Sequence, residues 1–214
     1  FIKVQDGCNN FCSYCLIPYV RGRSRSRSVE SVISELDSVK GVAKEVVVTG
    51  INLSAFGKDT NSSLTELMNA LSRYDFGVRL GSLEVGVICR EFLDATKRIK
   101  RFCPHFHLSL QSGDDATLKA MNRHYTTSQY YAAVQLIREY YPDCAITTDI
   151  IVGFPTETEE QFENCMNFAR KVGFSDIHVF PYSSRRGTVA GRLKPLSPDV
   201  VTSRQKRMSA VKGE

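Results

Sequence analysis

Short apolar runs alternate with longer amphipathic stretches along most of the chain. The runs cover residues 2–5, 45–49, 78–85, 106–110, 145–152 and 176–180. Between them the pattern predicts helices over 29–40, 64–74, 91–101, 128–141 and 159–172, with a last one over 199–211 after Pro195 and Pro198. In 128–141, Tyr131, Val134, Ile137 and Tyr141 recur at three and four, the spacing of one helix face. Ser28 and Glu159 stand near the expected helix starts, and Gly41 and Gly173 follow the ends of two periodic stretches. About six strand–helix repeats predict a parallel sheet, because parallel neighbours need a crossover connection. Several runs are apolar nearly throughout, as expected where both faces are covered. The α/β fold is then a doubly wound open sheet or a partial barrel, and chain order alone leaves both open. In either, ligands collect at the carboxyl ends of the strands. The informative segments are therefore 7–15, 49–52, Glu84, 111–114, 153–157 and 181–184, which are polar, Gly-containing or cysteine-bearing.

Composition narrows the class without naming a chemistry. With 214 residues, 42% hydrophobic and 24% charged, the chain has globular composition and can bury a substantial core. Its net charge of +5 tolerates a polyanionic partner without establishing one. The apolar runs are too short to cross a bilayer and no signal peptide is evident, so a soluble cytoplasmic protein is expected. The first residue is Phe1 and already reads as strand, as in an excised domain with segments missing at both ends.

Cysteine usage changes the picture. Three of the seven cysteines, Cys8, Cys12 and Cys15, crowd into one short C-x3-C-x2-C segment. A secreted disulfide framework would space them more evenly, so a reducing compartment and a ligand role fit better. Three thiolates on one loop can hold three irons of a 4Fe-4S cluster, leaving the fourth open to a small ligand. Three blander readings compete. The same spacing is one face of a helix, but Gly7, Asn9, Asn10 and Pro18 favour a loop. Structural zinc wants four protein ligands, and His105, His107, His124 and His178 are all remote in sequence. A four-cysteine cluster would need Cys89, Cys103, Cys144 or Cys165, which mostly fall inside or beside predicted helices and strands.

The residues resemble the radical S-adenosylmethionine enzymes, whose loop after the first strand carries this cysteine pattern with an aromatic before the last cysteine, here Tyr14. Within them the chain is similar to the methylthiotransferases. The resemblance rests on Cys8-Asn-Asn-Phe-Cys-Ser-Tyr-Cys-Leu-Ile-Pro18 with Arg21-Gly22-Arg23, then His107-Leu-Ser-Leu-Gln-Ser-Gly113 and Met121-Asn-Arg123 with Tyr125. It continues through Thr148-Asp-Ile-Ile-Val-Gly-Phe-Pro155 and His178-Val-Phe-Pro-Tyr-Ser183. Val85 stands where the family commonly has proline and Arg186-Gly187-Thr188-Val189 lacks the usual proline, which affects local loop geometry rather than the chemistry. The segment Thr49-Gly-Ile-Asn-Leu-Ser-Ala-Phe-Gly57 is most like the enzymes that methylthiolate threonylcarbamoyl-adenosine beside the tRNA anticodon. Isopentenyl-adenosine and ribosomal-protein relatives usually carry a glutamine-containing version of this loop.

The resemblance implies a partial barrel with a radical S-adenosylmethionine core over residues 1–195, followed by a helix or linker over 196–214. It implies a 5′-deoxyadenosyl radical generated at the cluster, and a protein electron donor such as flavodoxin or ferredoxin. Family members carry a second 4Fe-4S cluster in an N-terminal domain and a C-terminal RNA-binding domain, so this piece alone is expected to cleave S-adenosylmethionine without inserting sulfur. Thr49 and Gly50 would meet the methionyl amine, or simply form a turn. Glu84 would take ribose hydroxyls or an ammonium, or remain a solvated rim charge. Gln111 and Ser112 would bond polar cofactor atoms, or cap a turn. Arg123 would pair with the methionyl carboxylate. Asp149, inside an apolar strand, requires a partner or a cofactor role. Gly153 would let backbone approach the adenine, and Phe180 would flank it unless it belongs to the core. Arg21, Arg23, Arg25 and Arg27 would track a phosphate backbone or remain a solvated loop. Arg204, Lys206, Arg207 and Lys212 read as decoration of an exposed helix face. The alternatives are a ribosomal-protein methylthiotransferase or another radical enzyme and, outside enzymes, a zinc or iron–sulfur RNA-binding module.

Overall fold

The structure, a computed structural model, describes residues 1–211. The chain opens with β1 (Ile2–Asp6), α1 (Ile17–Val20), β2 (Arg25–Ser26), α2 (Val29–Val39) and β3 (Glu45–Gly50). It continues through α3 (Leu64–Leu71), β4 (Gly77–Leu80), α4 (Arg90–Lys97), β5 (His105–His107) and α5 (Asp115–Ala120). The last elements are α6 (Thr127–Tyr140), β6 (Ala145–Val152), α7 (Glu159–Val172), β7 (Asp176–Pro181) and α8 (Pro198–Val211).

The long parallel strands pair in chain order. β1 pairs with β3, and β3 with β4. On the other side, β5 pairs with β6 and β6 with β7, all parallel. Single parallel bridges, Val78 to Phe102 and Leu83 to Leu108, join the two halves. An order that never reverses has no topological switch point, which separates a partial barrel from a doubly wound sheet. The exception is the two-residue β2, which pairs antiparallel with the edge of β1.

Local chemistry sets the helix ends. The Ser28 hydroxyl accepts the Ser31 amide at the start of α2. Thr158, one residue before the expected Glu159, forms a reciprocal cap with Gln161. Gly173 closes α7 at φ 64°. In α6 the buried face is Tyr130, Ala133, Val134 and Ile137. That differs from the sequence phase at its start: Tyr131 lies beside the face under Lys171, and Tyr141 is already the cap.

The main core lies between the strands and the helices outside them. Val48, Val78, Phe106, Ile146 and Ile150 pack against Leu36, Leu67, Phe92, Val134 and Phe162. Each such side chain contributes about 1.5–3 kcal/mol by leaving water. Because the barrel is incomplete, its inner face is not buried as the sequence suggested. In β6, Ile146, Thr148 and Ile150 are buried, whereas Asp149 and Ile151 on the opposite face are only partly so. Across that face Arg79 donates to Glu45 at 3.0 Å, and His105, His107 and His178 follow on β5 and β7.

The C-terminal helix departs from expectation. Arg204 is buried, 4% exposed, and pairs with Glu157. Arg207 pairs with Glu159 and Glu163, while Lys206 is exposed. Met208 and Val211 join the core, so α8 is docked onto the barrel rather than decorated for solvent. Lys212 lies outside the described residues. Among the described residues no helix is long and apolar enough to cross a membrane.

Candidate active site

The cysteine segment leaves β1 through a turn that only glycine can make. Gly7 sits at φ +70°, and a Cβ there would lie 2.0 Å from the Arg23 carbonyl oxygen. The segment is a loop rather than a buried helix face, with Phe11 at φ 49° and Cys8 and Cys15 half-buried. It is held from outside. The Ser13 amide and hydroxyl donate to the carbonyls of Met121 and Ala120, both at 2.9 Å. The Asn122 side chain donates to the Asn10 and Phe11 carbonyls, and the Ala190 amide to Ser13.

Each cysteine sulfur accepts from an N–H group. The Asn10 amide and Asn52 Nδ2 approach Cys8 Sγ at 3.5 and 3.7 Å. The Ile17 amide reaches Cys15 Sγ at 3.4 Å, and Arg123 Nη1 reaches Cys12 Sγ at 3.3 Å. Burial pushes the Cys15 thiol up, and the charges of Cys12 and Cys8 push it the same way, against the Ile17 amide and Arg123. The three thiols therefore share one electrostatic neighbourhood. They open onto a cavity of about 220 Å³ also lined by Asn52, Glu84, Ser109, Gln111 and Arg123.

This donor set suits an iron–sulfur cluster better than zinc. Bonds of 2.3 Å to tetrahedral zinc put the sulfurs ~3.8 Å apart. Among the described residues, the His, Cys, Asp or Glu group whose ligand atoms are gathered as for a single ion is His107, Asp149 and His178, not the three cysteines. N–H groups aimed at sulfur are what stabilise cluster thiolates.

Arg123 is the electrostatic centre of the cavity wall. Its side chain is 6% exposed and holds Glu84 at 3.0 Å, while Asn10 Nδ2 donates to the same carboxylate oxygen at 2.6 Å. Burial disfavours the Arg123 charge, but Tyr125, Tyr14, Glu84 and Cys12 more than offset it and hold its pKa above the ordinary range. Burial pushes the Tyr125 hydroxyl up to about 12, keeping it a donor; it donates to the Ser109 and Leu110 carbonyls.

A second cavity, of about 260 Å³, shares Tyr14 and Gln111 with the first and adds Asp149, Phe180, Tyr182 and Arg185. Phe180 is half-exposed there rather than in the core. Gln111 sits at φ 69°, a strained position for a residue with a side chain. Asp149 has its partners, His107 Nε2 at 3.1 Å and His178 Nδ1 at 3.3 Å.

Other expected residues stand apart. Ser112 is fully buried and its hydroxyl accepts the Asp114 amide, the turn-capping alternative. Gly153 donates to Glu157 and is covered by Val201. Thr49 and Gly50 end β3 just short of Ile51 and Asn52, which do line the cysteine cavity. Asn10, Asn52 and Ser109 fall in segments the sequence marked but were not named as site contacts, because a polar loop residue carries no spacing signal of its own. The arginine run is partly committed within the fold. Arg27 pairs with Glu35, Arg21 and Arg25 approach Asp6 at 3.7 and 3.8 Å, and Arg23 lies over the Phe11 ring.

A parallel partial barrel with three thiols in the loop after its first strand, opening on a cavity at the carboxyl mouth, defines a metal–thiolate enzyme class. The Radical SAM superfamily model matches residues 2–169, and the chain belongs to that superfamily. It is 43% identical over 216 residues to the threonylcarbamoyladenosine tRNA methylthiotransferase MtaB of Thermotoga maritima, covering 99% of this chain and 49% of that protein. It is also 43% identical over 208 residues to the tRNA-2-methylthio-N(6)-dimethylallyladenosine synthase of Caldicellulosiruptor saccharolyticus, covering 94% and 44%. The chain thus spans about half the length of these relatives. In fold it matches TsrM from Kitasatospora setae, a radical S-adenosylmethionine methyltransferase solved with cobalamin and a [4Fe-4S] cluster (TM-score 0.72, 17% identity, 89% of this chain and 38% of that one). It also matches coproporphyrinogen III oxidase HemN from Escherichia coli (TM-score 0.65, 16% identity, 98% and 52%).

Proposed function

We propose that this chain is the core of a tRNA methylthiotransferase, adding a methylthio group to carbon 2 of threonylcarbamoyl-adenosine. The observation that carries the chemistry is the three-thiol cavity, with N–H donors on each sulfur and the Arg123–Glu84 pair on its wall. Cys8, Cys12 and Cys15 would hold the 4Fe-4S cluster. That cluster, when bound, supplies the single electron that splits the sulfonium of S-adenosylmethionine. The chain's own residues bind and orient. Arg123 would take the methionyl carboxylate and Glu84 the ammonium, the two being held together at the cavity wall. Tyr14, Gln111 and Phe180 line the neighbouring cavity, which would receive the nucleoside. Residues 1–195 would form the catalytic core, with α8 docked behind the turn at Gly153. The partners would be the tRNA anticodon loop, met by the exposed parts of Arg21, Arg23 and Arg25, and a flavodoxin or ferredoxin as electron donor. A tRNA substrate would fit a cytoplasmic reaction.

Dimethylallyl-adenosine is the second reading, because a relative named for it is equally identical. The 49–57 loop, similar to the threonylcarbamoyl-adenosine enzymes, favours the first. Two assays test the proposal. Reconstituted protein with dithionite should release 5′-deoxyadenosine, and tRNA from cells lacking the gene should lose the methylthio mark on threonylcarbamoyl-adenosine. Loss of the mark on dimethylallyl-adenosine would reassign the substrate, and no 5′-deoxyadenosine would overturn the chemistry.

A further inference from the structure

Away from the cysteines, three strands bring together side chains far apart in sequence. His107 ends β5, Asp149 is central in β6, and His178 pairs with it in register on β7. Their ligand atoms all lie within 4.8 Å of one another. Two imidazole nitrogens converge on one carboxylate, His107 Nε2 at 3.1 Å from Oδ2 and His178 Nδ1 at 3.3 Å from Oδ1. Bonds of 2.0–2.1 Å to a tetrahedral ion give ligand-to-ligand edges of about 3.3–3.4 Å, close to these separations.

A hydrogen-bonded trio could have the same distances, so the outer nitrogens matter. His107 Nδ1 lies 2.9 Å from Thr147 Oγ1, and His178 Nε2 lies 3.6 Å from Asp176 Oδ2. Both rings turn their inner nitrogen to Asp149; the outer nitrogen of His107 is hydrogen-bonded to an oxygen, whereas that of His178 makes only a longer ionic contact with Asp176. For His107 that is the arrangement which fixes tautomer and orientation in metal-binding histidines. Thr147 is itself held on the other side by His105 Nε2 at 3.0 Å.

We propose that His107, Asp149 and His178 form a binding site for a divalent first-row transition ion such as zinc or iron(II). Two imidazoles and one carboxylate on one face suit such ions and leave coordination positions for an outside ligand. Those positions would face the barrel lumen, since Asp149 also lines the cavity with Gln111 and Phe180. An oxygen or nitrogen donor of a bound substrate would complete them. The site shares no residue with the cysteine loop, so it stands whether or not the cluster chemistry holds.

The test separates the two sites. Zinc is titrated into cluster-loaded protein and counted by elemental analysis after desalting. Cobalt(II) is titrated into the C8A/C12A/C15A variant and followed by its visible absorption. About one ion per chain should bind in each case. His178→Ala, at a half-exposed position that should not impair folding, and Asp149→Asn should abolish binding. Thr147→Val should weaken it by about 10- to 100-fold, as loss of an orienting partner does. If the triple variant fails to fold, the zinc count on loaded protein decides alone. No ion retained outside the cysteine loop, or retention unchanged in both His178→Ala and Asp149→Asn, would show a hydrogen-bonded trio only and overturn the proposal.

Discussion

Arg204 offers a stability prediction that the sequence alone would not have suggested. Its Nη1 donates to Glu157 Oε2 at 2.8 Å and to the Glu157 carbonyl at 2.9 Å, in a site where Glu157 is 3% exposed. The same Oε2 accepts the Gly153 amide at 2.8 Å, so the pair ties α8 to the turn after β6. Arg204→Met keeps the apolar bulk over Phe162 but strands the carboxylate. Breaking a buried pair from one side costs about 3–5 kcal/mol. The Gly153 amide remains as a partner, which puts the expected loss near 3 kcal/mol, or roughly 6–12 °C in Tm for a chain of this size. The loss should depend on pH. Burial already holds the Glu157 carboxyl above the usual range, against the pull of the Gly153 amide and Arg204. Without Arg204 it rises further, and the folded state keeps a proton that the unfolded state has released. Stability then falls as pH rises from the ordinary carboxylate pKa through the raised one. Urea unfolding should show the variant's deficit to be small near about pH 5 and full at about pH 8, and E157Q/R204M should regain more than half of it at the higher pH. A deficit constant across that range, or a variant as stable as its parent, would refute the reasoning.

Three further outcomes follow from the loop and its surroundings. Gly7→Ala should prevent the cysteine loop from closing, because its Cβ would meet the Arg23 carbonyl at 2.0 Å; iron content after reconstitution should fall severalfold. Asn52→Ala removes the side-chain donor to Cys8 Sγ and should make the cluster's reduction potential more negative in a spectroscopic redox titration. Arg21→Ala with Arg23→Ala should weaken tRNA binding and flatten its log–log salt dependence by about 0.7 per lost phosphate contact, whereas Arg27→Ala, already paired with Glu35, should change it little.

Much of this architecture was legible because apolar periodicity is a local signal. The strands at 45–49, 145–152 and 176–180 and the helices at 29–40 and 159–172 appear close to where the pattern put them. The cysteine loop was legible for the same reason, its three cysteines lying within eight residues of one another. Short elements were not: β2 has two residues and α5 six, too few for any period to show. Charge misled at Arg204, since a charged helix residue reads as exposed unless its buried partner, 47 positions away, is known. Ser112 follows a strand as a cofactor contact would, but turns inward. The Arg123–Glu84 pair and the His107–Asp149–His178 trio depend on which strands become neighbours, information that exists only once the barrel has formed.

The central claim is that Cys8, Cys12 and Cys15 hold a cluster with one iron open to S-adenosylmethionine. Electron paramagnetic resonance of the anaerobically reconstituted, reduced protein tests it most directly. The expected result is about four irons per chain and a cluster signal that changes on adding S-adenosylmethionine, both lost in Cys12→Ala. A colourless zinc-loaded protein, or a cluster signal indifferent to S-adenosylmethionine, would contradict it.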